Sequence, residues 1–209
     1  SGNHLASLVL NRTSSGTYTW SSSVTIATDI THNFGTLNHT SGLTMGTGST
    51  YYRGAGSLTG LSPLATTNYI VEYTVGGNTG LELPTSSTAL LDLRMNTGGT
   101  VTLQNDVTIN GDFILDGGTF DASANDITMA GTGVSISANG GGFSQANTNA
   151  VIFSGSVTLG GTSIDGGTIG NIEITGSLSM PDANIIVDGY FDNMGLFTAN
   201  DATVTFTLF

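Results

Sequence analysis

The chain has 209 residues, 38% of them hydrophobic, with 15 acidic and 3 basic side chains and a formal net charge of −12. The basic residues are all arginine, which disfavours a nucleic-acid partner and attachment to an anionic membrane surface, because both need clustered cations. The absence of cysteine excludes disulfides and thiolate metal sites. No apolar stretch approaches the roughly 20 residues of a membrane span.

Residues 1–16 are predicted to form an N-terminal arm with a hinge, followed by one solenoid domain over residues 17–209. The arm contains a compact apolar strand at residues 5–10, and the polar run at residues 11–16 is typical of a hinge. The start has neither a basic segment nor a long apolar one, so we expect the processed form if the protein is exported.

Residues 17–90 contain short runs in which apolar and polar residues alternate, which predicts further strands. Leu81-Glu82-Leu83 is one of these runs, and an irregular insertion is predicted near residues 51–67. Four aromatic residues of this region are expected to pack in the core or to form the surface on which the arm docks, with a platform that stacks on sugar rings as the alternative: Tyr18, Trp20, Tyr51 and Tyr52.

From residue 90 onward, strand-like cores return at regular intervals. The runs at residues 107–109, 134–136 and 157–159 are examples, and two further series fall between them, giving about three strands per roughly 24 residues. This period predicts an all-β, single-domain β-solenoid, or β-helix, in which each strand points alternate side chains inward. A β-sandwich is the alternative, because it also has many short strands separated by turns.

Three of these segments carry a resemblance to a known class of proteins. Residues 107–113 (VTINGDF), 116–122 (DGGTFDA) and 149–155 (NAVIFSG) resemble the repeats of bacterial surface and adhesin-like proteins with β-helical regions. The resemblance covers residues 80–209. It implies an exported, repetitive scaffold at the cell surface and not a catalyst.

The ends of the predicted solenoid are its candidate functional feature. The C-terminal run alternates to the last residue without a polar cap, which leaves an open sheet edge. We expect the N-terminal arm of one copy to add to this edge of the next, giving a secreted, head-to-tail filament or surface fibre. The alternatives are that the arm forms the first strand of its own core, or that the sequence is cut from a longer array. The arm residues are Leu5, Leu8, Val9 and Leu10, and the edge residues are Val204, Phe206, Leu208 and Phe209.

Chemical sites are sparse in the sequence, and no enzymatic activity is predicted. Phosphate-binding loops need a lysine, and neither a G-x-S-x-G nor an H-E-x-x-H motif is present. Aspartates before glycine favour turns; if their corners stack, Asp116, Asp165 and Asp188 are weak candidates for a shared Ca²⁺. His4, His32 and His39 are expected in solvated loops.

Two predictions concern sugars at the protein surface. Asn11 and Asn38 begin N-x-T sequons and are glycosylation candidates on an exported surface. The same scaffold could also serve as an adhesin or carbohydrate-binding module, which is the alternative function. The predicted partner is the protein itself, with surface glycans as a second possibility.

Overall fold

The computed structural model describes residues 3–12, 16–61, 63–65, 68–84, 88–138, 140–146, 148–160, 168–180 and 184–207. This part of the chain is all β and forms a parallel β-solenoid of about eight turns. The predicted solenoid is therefore confirmed, and the sandwich alternative is wrong. At about 4.8 Å per stacked strand the rod is roughly 40 Å long.

The first half of the solenoid contains ten strands: β1 (Asn3–Asn11), β2 (Thr17–Trp20), β3 (Val24–Phe34), β4 (Thr36–His39), β5 (Leu43–Met45), β6 (Thr50–Arg53), β7 (Ser57–Gly60), β8 (Leu64–Ala65), β9 (Tyr69–Tyr73) and β10 (Gly77–Asn78). We call β1 with β2 coil 1, and β3 with β4 coil 2.

The second half contains seventeen: β11 (Leu90–Met95), β12 (Thr100–Thr102), β13 (Val107–Ile109), β14 (Phe113–Leu115), β15 (Thr119–Asp121), β16 (Ile127–Met129), β17 (Thr132–Ala138), β18 (Gly142–Ser144), β19 (Ala150–Phe153), β20 (Ser156–Gly160), β21 (Thr168–Ile169), β22 (Asn171–Ile174), β23 (Ser177–Ser179), β24 (Ile185–Val187), β25 (Phe191–Asn193), β26 (Leu196–Thr198) and β27 (Val204–Phe206).

These strands stack into four parallel sheets. One sheet of twelve strands runs the length of the rod in the order β26-β23-β20-β17-β14-β11-β9-β6-β3-β5-β8, with β1 paired to β3. The other sheets are β2-β4-β7, β10-β12-β15-β18-β21-β24-β27 and β13-β16-β19-β22-β25. Register partners in successive coils lie from 18 residues (Thr168 to Ile186) to 24 residues (Ser144 to Thr168) apart, so the predicted repeat of 24 is the upper limit.

The core is a column of inward side chains that alternate with solvent-facing Thr, Ser and Asn. In the largest sheet, Val71, Leu93 and Phe113 occupy one inward position in three successive strands and are buried. Phe113 packs edge-on against Phe120, with ring centroids 5.1 Å apart. Burial of this continuous apolar column is the main stabilising force, because each coil can bury its inner face only against its neighbours.

Asp and Asn side chains tie each coil to the next at the corners. The Oδ1 atoms of Asp92, Asp106 and Asp126 accept hydrogen bonds from the backbone amides of Asp112, Asp126 and Ala150, each at 2.9 Å. These bonds run along the rod axis and satisfy corner amides that the sheet ladders leave unpaired. The corner carboxylates therefore reinforce the stack between coils.

Strand pairing describes two segments at which domain boundaries were predicted. Within the predicted insertion near residues 51–67, the described strands β6, β7 and β8 lie in register with β3, β4 and β5. An irregular segment is found at residues 79–84, after β10, where the three-stranded sheet has ended and the seven-stranded sheet has begun. Within the predicted N-terminal arm, β1 pairs with β3 of the same chain from Asn3 to Asn11, and its inward leucines cover the core.

Candidate functional site

Coil 1 leaves the inner side of the solenoid wall partly uncovered. Its inward side chains continue the core columns: Leu5 pairs with Ile26, Leu8 with Ile30 and Trp20 with His39. Leu8, Tyr18 and Trp20 are only partly buried, and Leu5 is 39% exposed. The far edges of β1 and β2 carry no strand within the described residues. We call this the head surface: Leu5, Leu8, Tyr18 and Trp20.

At the opposite end, the last described coil presents a cluster of phenylalanines. Phe191 packs edge-on against Phe197 and Phe206, with centroid distances of 5.2 Å and 6.0 Å. β25, β26 and β27 each lie at the end of their sheet, so their outer edges are also without a partner strand in this part of the chain. Phe206 is 50% exposed. We call this the tail surface: Phe191, Phe197, Val204 and Phe206.

The predicted assembly residues divide between these surfaces and the rod's flank. Leu5, Leu8 and Leu10 face the core, and Leu10 is buried, with 4% of its surface exposed. Val9 points away from the core and is 63% exposed on the side of the rod. At the tail, Val204 and Phe206 face the core side. Leu208 and Phe209 lie outside the described residues.

Charge is distributed very unevenly along the rod. Residues 1–71 contain Arg12, Arg53 and Asp29, which sum to +1, whereas residues 72–209 contain Arg94 and 14 of the 15 acidic residues, which sum to −13. Arg12 is exposed on coil 1, and Asp192 and Asp201 are exposed near the tail surface. The two ends are therefore electrostatically different.

The structure does not assemble the predicted calcium site. Asp116 follows β14 and Asp188 follows β24, so they occupy different corners of the coil and cannot stack on each other. Asp188 instead accepts a hydrogen bond from the Thr207 hydroxyl at 2.8 Å. Asp165 lies outside the described residues. Among the residues the structure describes, no group of three or more metal-ligating side chains is present.

The structure does not bring the four aromatic side chains together as a sugar-stacking platform. Tyr51 is fully buried in the core, and Tyr52, its neighbour on β6, points outward. Tyr18 and Trp20 face inward on coil 1 and belong to the head surface. Four side chains that point in these different directions cannot form one sugar-stacking face.

The sequon asparagines and the histidines differ in exposure. Asn11 is exposed at the end of β1, whereas Asn38 is half-buried on β4. His4 is exposed, but His32 and His39 are fully buried, contrary to the expectation of solvated loops. Both buried histidines occupy inward positions of coil 2.

Sequence reasoning missed a cluster of polar side chains inside the first half of the rod. His32, Arg53 and Tyr73 occupy one inward position in three successive strands of the largest sheet. Glu82 reaches this column from the irregular segment and is fully buried. We call the following set the buried polar cluster: His32, Tyr51, Arg53, Tyr69, Tyr73 and Glu82.

Glu82 is the centre of this cluster. Its Oε1 accepts hydrogen bonds from the Tyr73 hydroxyl at 2.8 Å and the Gly80 amide at 2.9 Å, and lies 3.4 Å from Nε of Arg53. The Tyr69 hydroxyl donates to the Glu82 backbone carbonyl at 2.6 Å. These contacts anchor the irregular segment to the core, because a buried carboxylate needs both donors and a counter-charge.

The cluster also shifts the proton affinity of its members. Burial, followed by the nearby charge of Glu82, raises the pKa of Tyr51, Tyr69 and Tyr73, so their hydroxyls stay protonated and act as donors. Burial and the neighbouring Arg53 guanidinium lower the pKa of His32 to about 4, although the Gly35 carbonyl acts in the opposite direction. His32 is therefore neutral at pH 7, with its Nδ1 2.7 Å from the Tyr51 hydroxyl.

A small cleft lies beside the irregular segment. It is formed by Thr79–Pro84 on one side and Asn105 and Asp106 on the other, and its free volume is about 50 Å³. This volume is far below that of the pockets that hold drug-sized ligands. The cleft has room for little more than one or two water molecules.

Comparisons of the sequence with protein-family models, curated proteins and solved structures found no match. Among the described residues, no helix of a length and apolarity sufficient to cross a membrane is found.

Proposed function

We propose that this protein is a structural subunit of an extracellular filament or surface fibre, whose copies stack head to tail. The observation that carries the proposal is that, within the described residues, both ends of the solenoid are open. Both the head and the tail surface expose inward apolar side chains beside unpaired edges of parallel strands. Stacking the tail of one copy on the head of the next would continue the largest sheet, which reaches both ends, and would extend the core column.

Charge supports a second copy as the occupant of each end, and it supports the direction of joining. Tail-to-tail contact would bring two strongly acidic halves together, whereas head-to-tail contact places the acidic tail against coil 1 with its exposed Arg12. Like-charge contact raises the free energy of association, so the polar arrangement is favoured. A head-to-tail contact of this kind generates an open filament when the rotation between copies does not close a ring.

The extracellular setting rests on the surface chemistry and the resemblance to bacterial surface repeats. The outer face of the rod is rich in Thr, Ser and Asn and carries no lysine. Such a hydrated, hydroxyl-rich surface suits a fibre that stays soluble along its flank and joins only at its ends.

A matched set of charge substitutions tests the joint. Leu5→Asp should disable the head, and Phe206→Asp should disable the tail, because each places a carboxylate in the proposed apolar contact. Val9→Asp and Thr205→Asp add the same charge to the same strands but on the outer face, so they should assemble like the unaltered chain. Analytical ultracentrifugation and negative-stain electron microscopy provide the measurement.

Mixing the two disabled variants gives the direction of joining. Leu5→Asp alone and Phe206→Asp alone should be monomers, and an equimolar mixture should stop at heterodimers, since each retains one working end. Dimers of either variant alone would indicate head-to-head or tail-to-tail contact. An unaltered chain that stays monomeric at all accessible concentrations would refute the proposed filament.

A further inference from the structure

Two fully buried histidines lie in the coil on which coil 1 is stacked. His32, in β3, pairs with Leu10 of β1 on one side and with Arg53 of β6 on the other. His39, in β4, pairs with Trp20 of β2 and with Gly60 of β7. Each histidine therefore lies at the interface between coil 1 and the rest of the rod.

The surroundings of both rings favour the neutral form. His32 faces the Tyr51 hydroxyl, the Arg53 guanidinium and, on the Nε2 side, the Gly35 carbonyl at 3.1 Å, with Glu82 beyond Arg53. A proton on His32 would add a second positive charge beside Arg53. On its other side β1 presents Leu10, which is uncharged.

His39 is placed even less favourably for a charge. Neither ring nitrogen has a hydrogen-bond partner among the described residues, and the ring lies between Trp20 and the backbone at Gly60. Burial alone lowers the pKa of His39. A protonated His39 would therefore be a buried, unpaired cation, which is costly unless water can reach it.

We propose that mild acid releases coil 1 from coil 2 through protonation of His32 and His39. Moving coil 1 away would expose both rings to water at the smallest structural cost, because within the described chain β1 and β2 are held by β3 and β4 alone. The strand β6, in contrast, has a partner strand on both sides, β3 and β9. In a solenoid, stability is close to a sum of neighbour terms, so the outermost coil opens first.

The direction of the pH effect follows from linkage. The pKa of His32 is about 4 when coil 1 is docked and returns towards 6.5 when the ring is hydrated. The released form therefore binds more protons between these values, and docking weakens as the pH falls through this interval. Above pH 6.5 the stabilisation by the neutral rings is complete.

Trp20 provides a built-in probe, since it is the chain's one tryptophan and pairs in register with His39. We expect its fluorescence emission to shift to the red as the pH falls, reversibly and with a midpoint between 6.5 and about 4. The β-sheet signal in far-UV circular dichroism should fall only by the part that coil 1 contributes. Using the Phe206→Asp chain keeps this test independent of filament formation, so a failure of one proposal is distinguishable from a failure of the other.

Four substitutions assign the effect to the two rings. The double variant His32→Phe, His39→Leu should lose the red shift, and His39→Leu alone should lower its midpoint even if the double variant does not fold. His4→Gln and Asp29→Asn should retain it; His4 is exposed, and Asp29 accepts a bond from Ser7 of β1 at 2.9 Å. An unchanged shift in His39→Leu, no shift in the parent chain, or a simultaneous loss of all β signal would each overturn the proposal.

Discussion

Replacing Glu82 with alanine is expected to lower the free energy of unfolding by about 3 to 5 kcal/mol, because it leaves Arg53 charged and buried without its counter-ion. The loss also removes the acceptor of the Tyr73 hydroxyl and the Gly80 amide. Urea denaturation followed by circular dichroism measures the change. Hydrogen exchange should localise it to residues 79–84 and to the strands around them.

Two further variants separate the charge from the hydrogen bonds. Glu82→Gln keeps an acceptor for Tyr73 and Gly80 but removes the counter-charge, so we expect an intermediate loss. Adding Arg53→Met to Glu82→Ala should recover part of the stability, since the unpaired cation is then gone.

The matched control is Glu72→Ala. Glu72 lies on the outer face of β9, where it accepts a bond from the Asn96 amide at 3.2 Å, and its removal should change stability by no more than about 0.5 kcal/mol. Equal losses for Glu72→Ala and Glu82→Ala would show that the buried ion pair does not anchor the irregular segment.

The solenoid itself was predictable, because side chains in a strand alternate between two faces and repeated strands must stack. The runs at residues 107–109 and 157–159 are strands with their apolar members inward, as their alternation predicts. The same rule failed at Leu81-Glu82-Leu83. This run is a turn and not a strand, and Glu82 faces the core because the cluster supplies donors and a cation for it.

Contacts between coils were harder to predict, because they join residues about 20 positions apart whose identities differ. Nothing local in the sequence shows that Asp126 accepts the Ala150 amide. Nor does the apolar run at residues 5–10 show by itself that it covers the core of its own chain. That Leu10 lies next to His32 is evident only when β1 and β3 are placed in register. The column of His32, Arg53 and Tyr73 has spacings of 21 and 20 residues. It would have been predictable if the repeat had been extended into the first half of the sequence.

Gly176→Ala is expected to destabilise the second half of the rod by about 3 kcal/mol, because no space exists for a methyl group. Gly155, Gly176 and Gly195 form a column at one corner, where each approaches the carbonyl of the glycine one coil earlier. A Cβ on Gly176 would collide with the carbonyl oxygens of Gly155 and Ser154. The Gly155 oxygen also accepts the Ser177 amide at 2.8 Å, so relief of the collision would break a bond between coils.

Gly98→Ala is the control for the backbone entropy that any glycine replacement changes. A Cβ at Gly98 meets no atom within 4 Å, so this variant should match or slightly exceed the stability of the unaltered chain. Thermal unfolding followed by circular dichroism should separate the two alanine variants clearly. If they melt together, close approach of the backbones at the glycine column does not determine how tightly the coils stack.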